Sequence, residues 1–284
     1  MSKWHLRSEF SSSHGTVRYD LRGDGPALVL VHGTPWSSFN WRHVIPELAE
    51  RWTVFFYDLL GYGQSEKRNG QDVSLGIQNL ILAELLDHWG LKSPYIIGHD
   101  FGGTTVLRTH IIGKRDFEKI ALLNSVALAP WGSPFFAHVK KYEEAFRGVP
   151  AYIHEAIVAA YVRGATYRRM NDETLTGIIR PWLGLEGQAA FYRQIAQAHQ
   201  RFTDEIEPQY GAVTRPILIL WGEEDEWIPL STGRRLHDAI STSQFYPVPK
   251  AGHLVQEDAP AVITSHLIEF FESDESGGGK DVKA

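Results

Sequence analysis

Cysteine is absent from all 284 positions. That excludes a disulfide framework, a thiol nucleophile and any zinc–thiolate centre. A reducing cytoplasm is the expected setting. No apolar run approaches the ~20 residues a membrane-crossing helix requires. The opening Met-Ser-Lys-Trp-His-Leu-Arg-Ser-Glu has no early apolar core, which argues against a secretory leader. No membrane association is expected. Long basic runs are also missing. With 28 Lys and Arg against 34 Asp and Glu, the formal net charge is −6, so nucleic acid is not an expected partner. The segment 273–284, Ser-Asp-Glu-Ser followed by a glycine run, is too polar to bury and reads as a disordered tail.

What is present is alternation. Short apolar runs at 27–31, 53–57, 95–97, 119–123, 216–221 and 244–248 are separated by amphipathic stretches at 73–89, 104–112, 232–239 and 260–271. Several runs are apolar at nearly every position, as strands covered on both faces are. The pattern predicts an α/β fold: a mostly parallel sheet of about eight strands with helices on both faces. The alternation fails over 131–209, where helical segments rich in Tyr, His and Arg are broken at Pro150 and Pro181. This predicts a core of 1–130 and 210–272 with 131–209 inserted as a helical lid over the carboxyl edge of the sheet, where open α/β sheets bind ligands.

Four motifs carry chemistry. In Tyr95-Ile96-Ile97-Gly98-His99-Asp100-Phe101-Gly102-Gly103-Thr104, a strand enters a G-x-x-x-G frame that leads into a helix. Small neighbours permit a tight strand-to-helix turn that lifts the central side chain, Asp100, toward a helix N-terminus, where an anion is favoured. In Val31-His32-Gly33-Thr34-Pro35, a loop following a buried strand has amides suited to an oxyanion hole, with Thr34 N–H and Phe101 N–H as the donors. His32 reads as a structural histidine, and a cis-proline turn at Pro35 is left open. Gly222-Glu223-Glu224-Asp225-Glu226-Trp227-Ile228-Pro229 supplies four carboxylates, of which Gly-x-x-Asp-x-x-x-Pro selects Asp225 to orient a histidine. In Ala251-Gly252-His253, the histidine comes last, in the order nucleophile, acid, base.

Together with Asp58-Leu-Leu-Gly-Tyr-Gly-Gln-Ser65, these motifs resemble the α/β-hydrolase superfamily over roughly 15–271, specifically its Asp-nucleophile branch of epoxide hydrolases and haloalkane dehalogenases. The resemblance implies Asp100 as nucleophile, Asp225 as acid and His253 as base. An electrophilic carbon would be captured as an ester on Asp100, and water activated by His253 would then cleave it. The substrate would be a small molecule; no metal or organic cofactor is implied.

The two branches differ at the leaving group. Dehalogenases place a Trp after the nucleophile and an Asn in the His-Gly-x-Pro loop; here those positions hold Phe101 and Thr34. Trp36, Trp131 and Trp182 are the replacement indole donors to consider. Epoxide hydrolases use lid tyrosines instead, and Phe191-Tyr192-Arg193 resembles one of them, with Tyr152 or Tyr161 as the other. Trp36-Ser37-Ser38-Phe39-Asn40-Trp41-Arg42 looks more like the dehalogenases. The expectation is an epoxide, with a haloalkane as alternative. Fluoroacetate dehalogenases match at Asp100 but use an arginine where this chain has Phe101. A ligand-binding protein or a cofactor-free oxygenase on the same scaffold is the reading from other classes.

Overall fold

The computed structural model describes residues 4–273, so the expected tail lies, apart from Ser273, outside the described residues. The strands are β1 (Ser8–Ser12), β2 (Gly15–Arg22), β3 (Ala27–Val31), β4 (Thr53–Tyr57), β5 (Tyr95–His99), β6 (Ile120–Leu123), β7 (Ile217–Gly222) and β8 (Ser243–Val248). They form one sheet in the order β1-β2-β4-β3-β5-β6-β7-β8. The β1–β2 and β2–β4 pairings are antiparallel and the other five parallel. The predicted α/β architecture of eight strands is therefore present, but the hairpin of β1 and β2 matches none of the six apolar runs. Val17 and Asp20 are the only buried residues in β2. Its strand character comes from the ladder with β4, which local apolar pattern does not announce.

The inner strands are covered on both faces because side chains alternate along a strand. Val29 and Val31 of β3 join one core with helices Leu75–His88 and Phe101–Ile111; Leu28 and Leu30 join the other with helix Pro260–Glu272. Each such buried Leu, Ile or Val contributes roughly 1.5–3 kcal/mol by leaving water. Helix Phe101–Ile111 begins three residues before the predicted 104, because Gly102 lets the first turn press against β3. A Cβ there would lie 2.1 Å from the Val31 carbonyl oxygen.

Chain order reverses beside β3. From it the chain passes to β4 on one side, while β5 to β8 extend on the other. The crevice beyond the carboxyl ends of β3 and β5 is thus the topological switch point. Between β6 and β7 the chain forms no strand but helices Pro134–Lys141, Glu143–Arg147, Ala151–Arg163, Asp172–Ile179 and Gly184–Ala196. Pro150 caps the third of these, and Pro181 lies in the 3-10 turn that ends the fourth. Among the described residues, no helix is long and apolar enough to cross a membrane.

Candidate functional site

Register brings the first two motifs together. Val31 pairs with Gly98, so the loops leaving β3 and β5 emerge side by side. Asp100 turns the chain at φ 53°, ψ −120°, a left-handed backbone that an L-residue adopts only where surrounding structure enforces it. Asp100 is buried, 3% exposed. Oδ1 accepts the Thr34 N–H at 2.6 Å. Phe101 opens the following helix, so its N–H belongs to the first-turn amides that lack partners within the helix. The Thr34–Pro35 bond is cis. His32 donates from Nδ1 to the Gly33 carbonyl and accepts the Leu59 N–H at Nε2. Both ring nitrogens are therefore occupied by backbone, and burial lowers its pKa.

Gly33 is required at this junction. A Cβ would sit 2.2 Å from Asp100 Oδ1 and 2.6 Å from the His99 carbonyl. Gly33→Ala is expected to lower stability by about 1–3 kcal/mol, a fall in Tm of roughly 3–10 °C, measurable by thermal denaturation. An unchanged Tm would mean that the two loops can separate freely.

His253 lies between two carboxylates. Nδ1 is 2.9 Å from Asp225 Oδ2, and Nε2 is 3.2 Å from Asp100 Oδ2. Asp225 is buried, whereas Glu223, Glu224 and Glu226 of the same loop are exposed. Four donors saturate Asp225. Oδ1 accepts the Trp227 and Ile228 N–H groups, and Oδ2 accepts Asn124 Nδ2 at 2.7 Å as well as His253. Burial, the largest influence on Asp225, works against its charge. The imidazolium and these hydrogen bonds outweigh it and hold the pKa below 3.8. Burial likewise opposes charge on His253, but Asp225 and Asp100 together raise its pKa to about 10. Asp225 and His253 thus form a carboxylate–imidazolium pair. Neighbouring His99 points Nε2 at the His253 carbonyl oxygen, 2.9 Å away. Burial lowers its pKa to about 4, so it is neutral with the proton on Nε2.

A cavity of about 260 Å³ opens onto Asp100 and His253, with Phe101, Trp131, Tyr161 and Trp227 among its walls. Trp131 and Tyr161 come from the helical segment between β6 and β7. The two catalogues of aromatic candidates fare differently. Tyr161 lines the cavity, and its hydroxyl has no hydrogen bond among the described residues. Burial and the nearby Asp100 charge raise its pKa well above 10, so it remains a protonated donor. Tyr152 does not reach the cavity: it is 73% exposed on the far side of the same helix. Tyr192 does not either, because its buried hydroxyl is bonded to His154 Nδ1 at 3.0 Å. Trp36 is buried against Trp227, outside the cavity. Trp131 gives its indole N–H to Thr203 and Trp182 gives its own to the Pro35 carbonyl.

Three residues at this centre have no role assigned by sequence pattern, though Trp227 stands in the Asp225 motif. Asn124 follows β6 and fixes Asp225. Gln194 accepts Thr34 Oγ1–H at 2.6 Å and the Tyr62 hydroxyl at 3.0 Å, tying helix Gly184–Ala196 to the β3 loop. Trp227 stacks on His253 with ring centroids 4.9 Å apart. A segment after helix Ala151–Arg163 braces the histidine loop: Leu254 N–H bonds the Ala165 carbonyl at 2.8 Å, while Asp258 accepts Tyr167, Arg168 and Gly252 N–H groups. Among the described residues, no group of three or more His, Asp or Glu side chains is placed to hold a metal ion.

Comparison with known proteins agrees with this architecture. A crystal structure of an alpha/beta hydrolase fold protein from Burkholderia ambifaria superposes with a TM-score of 0.91 at 47% identity, covering 94% of this chain and 98% of that one. An uncharacterised hydrolase of Bacillus subtilis is 28% identical over 265 residues, 86% of this chain and 89% of that protein. Haloalkane dehalogenase 2 of Mycobacterium tuberculosis is 27% identical over 281 residues, 95% of this chain and 94% of that protein. The model of the alpha/beta hydrolase fold family matches residues 26–260, and the chain accordingly belongs to that family of hydrolase enzymes.

Proposed function

We propose that this hydrolase uses Asp100 as a covalent nucleophile on a small neutral electrophile, and that the electrophile is an epoxide. The observation that carries the nucleophile reading is the division of labour between its two oxygens. Oδ1 is held by the Thr34 amide, while Oδ2 has no backbone donor among the described residues and faces His253, in a residue that lines the cavity. The segment 131–209 acts as the lid, a role supported by Trp131 and Tyr161 in the cavity wall.

The chemistry balances with the groups present. Oδ2 attacks an epoxide carbon, the C–O bond breaks, and its electron pair goes to the ring oxygen, which accepts a hydrogen bond from Tyr161. Ester formation removes the charge on Asp100, one of the two influences sustaining the imidazolium, so the His253 pKa falls. The proton released by His253 neutralises the alkoxide. His253 is now a base and takes a proton from water as that water attacks the Asp100 carbonyl carbon. Charge developing on Oδ1 is met by the Thr34 and Phe101 amides. Collapse releases the diol and restores the carboxylate–imidazolium pair.

Tyr161 favours an epoxide over a halide, because a phenol suits an alkoxide and the indole N–H groups of Trp131 and Trp182 are engaged elsewhere. Tyr161→Phe is expected to slow Asp100 ester formation from an epoxide by about 10²-fold or more, while a matched bromoalkane would be unaffected. Single-turnover mass spectrometry with the two compounds decides the point. Fast capture of the bromoalkane together with no capture of any epoxide would establish the dehalogenase alternative.

A further inference from the structure

Resting on the reading of Asp100 and His253 as the catalytic pair, we infer that Trp227 is a positioning residue that holds the His253 imidazole and the Tyr161 phenol in one aromatic stack and stabilises positive charge on His253. The geometry is specific. The indole lies 4.9 Å from the His253 ring at 29° and 4.5 Å from the Tyr161 ring at 22°. Trp36, 1% exposed, stacks on it at 5.6 Å and 12°. The Trp227 backbone N–H also bonds Asp225 Oδ1 at 2.8 Å. One residue thus touches the acid, the base and the phenol of the cavity wall, which arrive from three separate stretches of chain.

Each contact has a physical consequence. The face of an indole is the most negative of the aromatic faces and attracts a cation stacked on it. The imidazolium therefore gains a stabilising influence that lies outside its two hydrogen bonds. The stack also holds the ring in place. The covalent tether and two hydrogen bonds set the ring plane, and a flat partner with its centroid 4.9 Å away resists the χ1 and χ2 rotations that would swing the ring off those bonds. On the Tyr161 side, the phenol hydroxyl has no hydrogen bond among the described residues, so ring packing aims it: Trp227 is stacked on it at 4.5 Å, with Phe135 and Phe136 also against it at 5.4 and 6.2 Å. Trp36 does not line the cavity, and as a buried ring stacked on Trp227 it restrains the indole.

The groups bearing on His253 are Asp225 after β7, Asp100 after β5, neutral His99 on β5 with its ring 5.1 Å away, and Trp227. Replacing Trp227 leaves both hydrogen bonds to the imidazole in place, and also the contact of His99 with the His253 carbonyl.

Two measurements on the full-length protein test the inference, and the first does not depend on Asp100 being a nucleophile. The His253 ring is titrated by NMR in wild type, Trp227→Phe and Trp227→Leu, each checked for folding by thermal denaturation. Leucine has no π face, so Trp227→Leu should lower the His253 pKa by about half a unit to one unit. Phenylalanine should recover part of the shift. The second measurement is the rate of Asp100 ester formation from an epoxide. Trp227→Leu should slow it by a factor approaching that of Tyr161→Phe, and the double variant should be scarcely slower than either single one, since both remove the same phenol contact. If folded Trp227→Leu titrates like wild type, or if the two substitutions slow capture independently, Trp227 is only a wall of the cavity. Should wild type form no ester with any electrophile, the nucleophile reading fails while the titration still judges the stack. If both variants unfold, Trp36→Phe, which loosens the ring stacked on Trp227 and leaves both imidazole hydrogen bonds in place, should move the titration in the same direction; no movement there overturns the inference.

Discussion

Replacing His253 with glutamine is expected to convert a turning-over enzyme into one that reacts once. Alkylation needs the Asp100 carboxylate and the Tyr161 hydrogen bond to the leaving oxygen; in the absence of the imidazole, the proton that His253 gives the alkoxide can come from water. Hydrolysis of the resulting ester needs a base beside the ester carbonyl, and His253 Nε2, 3.2 Å from Asp100 Oδ2, is the group in place. Intact His253→Gln protein exposed to an accepted epoxide should gain the mass of one substrate, on the peptide containing Asp100. Steady-state turnover should fall by on the order of 10³-fold or more. Asp100→Asn should gain no mass and show no turnover, since a neutral amide is a poor nucleophile. A serine-type centre behaves differently, because its histidine is needed for the first step too. If Asp100→Asn stays active while His253→Gln never acquires the adduct, the carboxylate is not the nucleophile.

The second large effect is expected from Asp225→Asn. The carboxylate Oδ2 accepts from both His253 and Asn124. An amide nitrogen placed there would face two donors. Turned the other way, it would meet the Trp227 and Ile228 N–H groups instead. In either orientation His253 loses its anionic partner, and with the amide nitrogen donating to Nδ1 the favoured tautomer carries its proton on Nε2, which cannot take one from water. Turnover should drop by on the order of 10³–10⁴-fold, with the ester accumulating. Stability should change with a definite pH dependence. The His253 pKa is raised from 6.5 to about 10, so its share of stability is fully present below pH 6.5 and lost as pH rises toward 10. The Asp225 pKa is lowered from 3.8, so its share is present above that value and lost in stronger acid. The Tm gap between wild type and Asp225→Asn should therefore be widest near pH 5–6 and narrow by pH 10. A gap that widens with alkali would contradict the imidazolium pair.

The portions of this molecule that were legible in the sequence are those whose meaning is local. Asp100 stands in a glycine frame, and Asp225 is singled out from three neighbouring acids by its spacing to Gly222 and Pro229. The structure places both beside His253. Asn124 was not legible because it follows Ile-Ala-Leu-Leu as any turn asparagine would; its partner is set by β6 lying next to β7, a fact of sheet order. The contacts of Gln194 and the ring contacts of Trp227 arise only when distant segments meet. The hairpin of β1 and β2 was invisible for a related reason, since its strands are stabilised by a ladder and bury little. The tyrosines mark an intermediate case. Tyr152 and Tyr161 are nine residues apart on one helix, about two and a half turns, and so face opposite sides. Helical geometry excludes both from serving one cavity, but which of them faces inward depends on how the helix is docked.

The bracing of the histidine loop by the stretch following helix Ala151–Arg163 has a consequence for how this protein can be recombined. Ala165 and the amides of Tyr167 and Arg168 are joined through Leu254, Gly252 and Asp258 to the two sides of His253. The helical insertion is therefore not a cassette laid over an independent catalytic core. Grafting a relative's insertion to borrow its substrate range would also replace the struts that fix His253, so productive chimeras must carry the segment around Ala165 and the loop from Gly252 to Asp258 from the same parent.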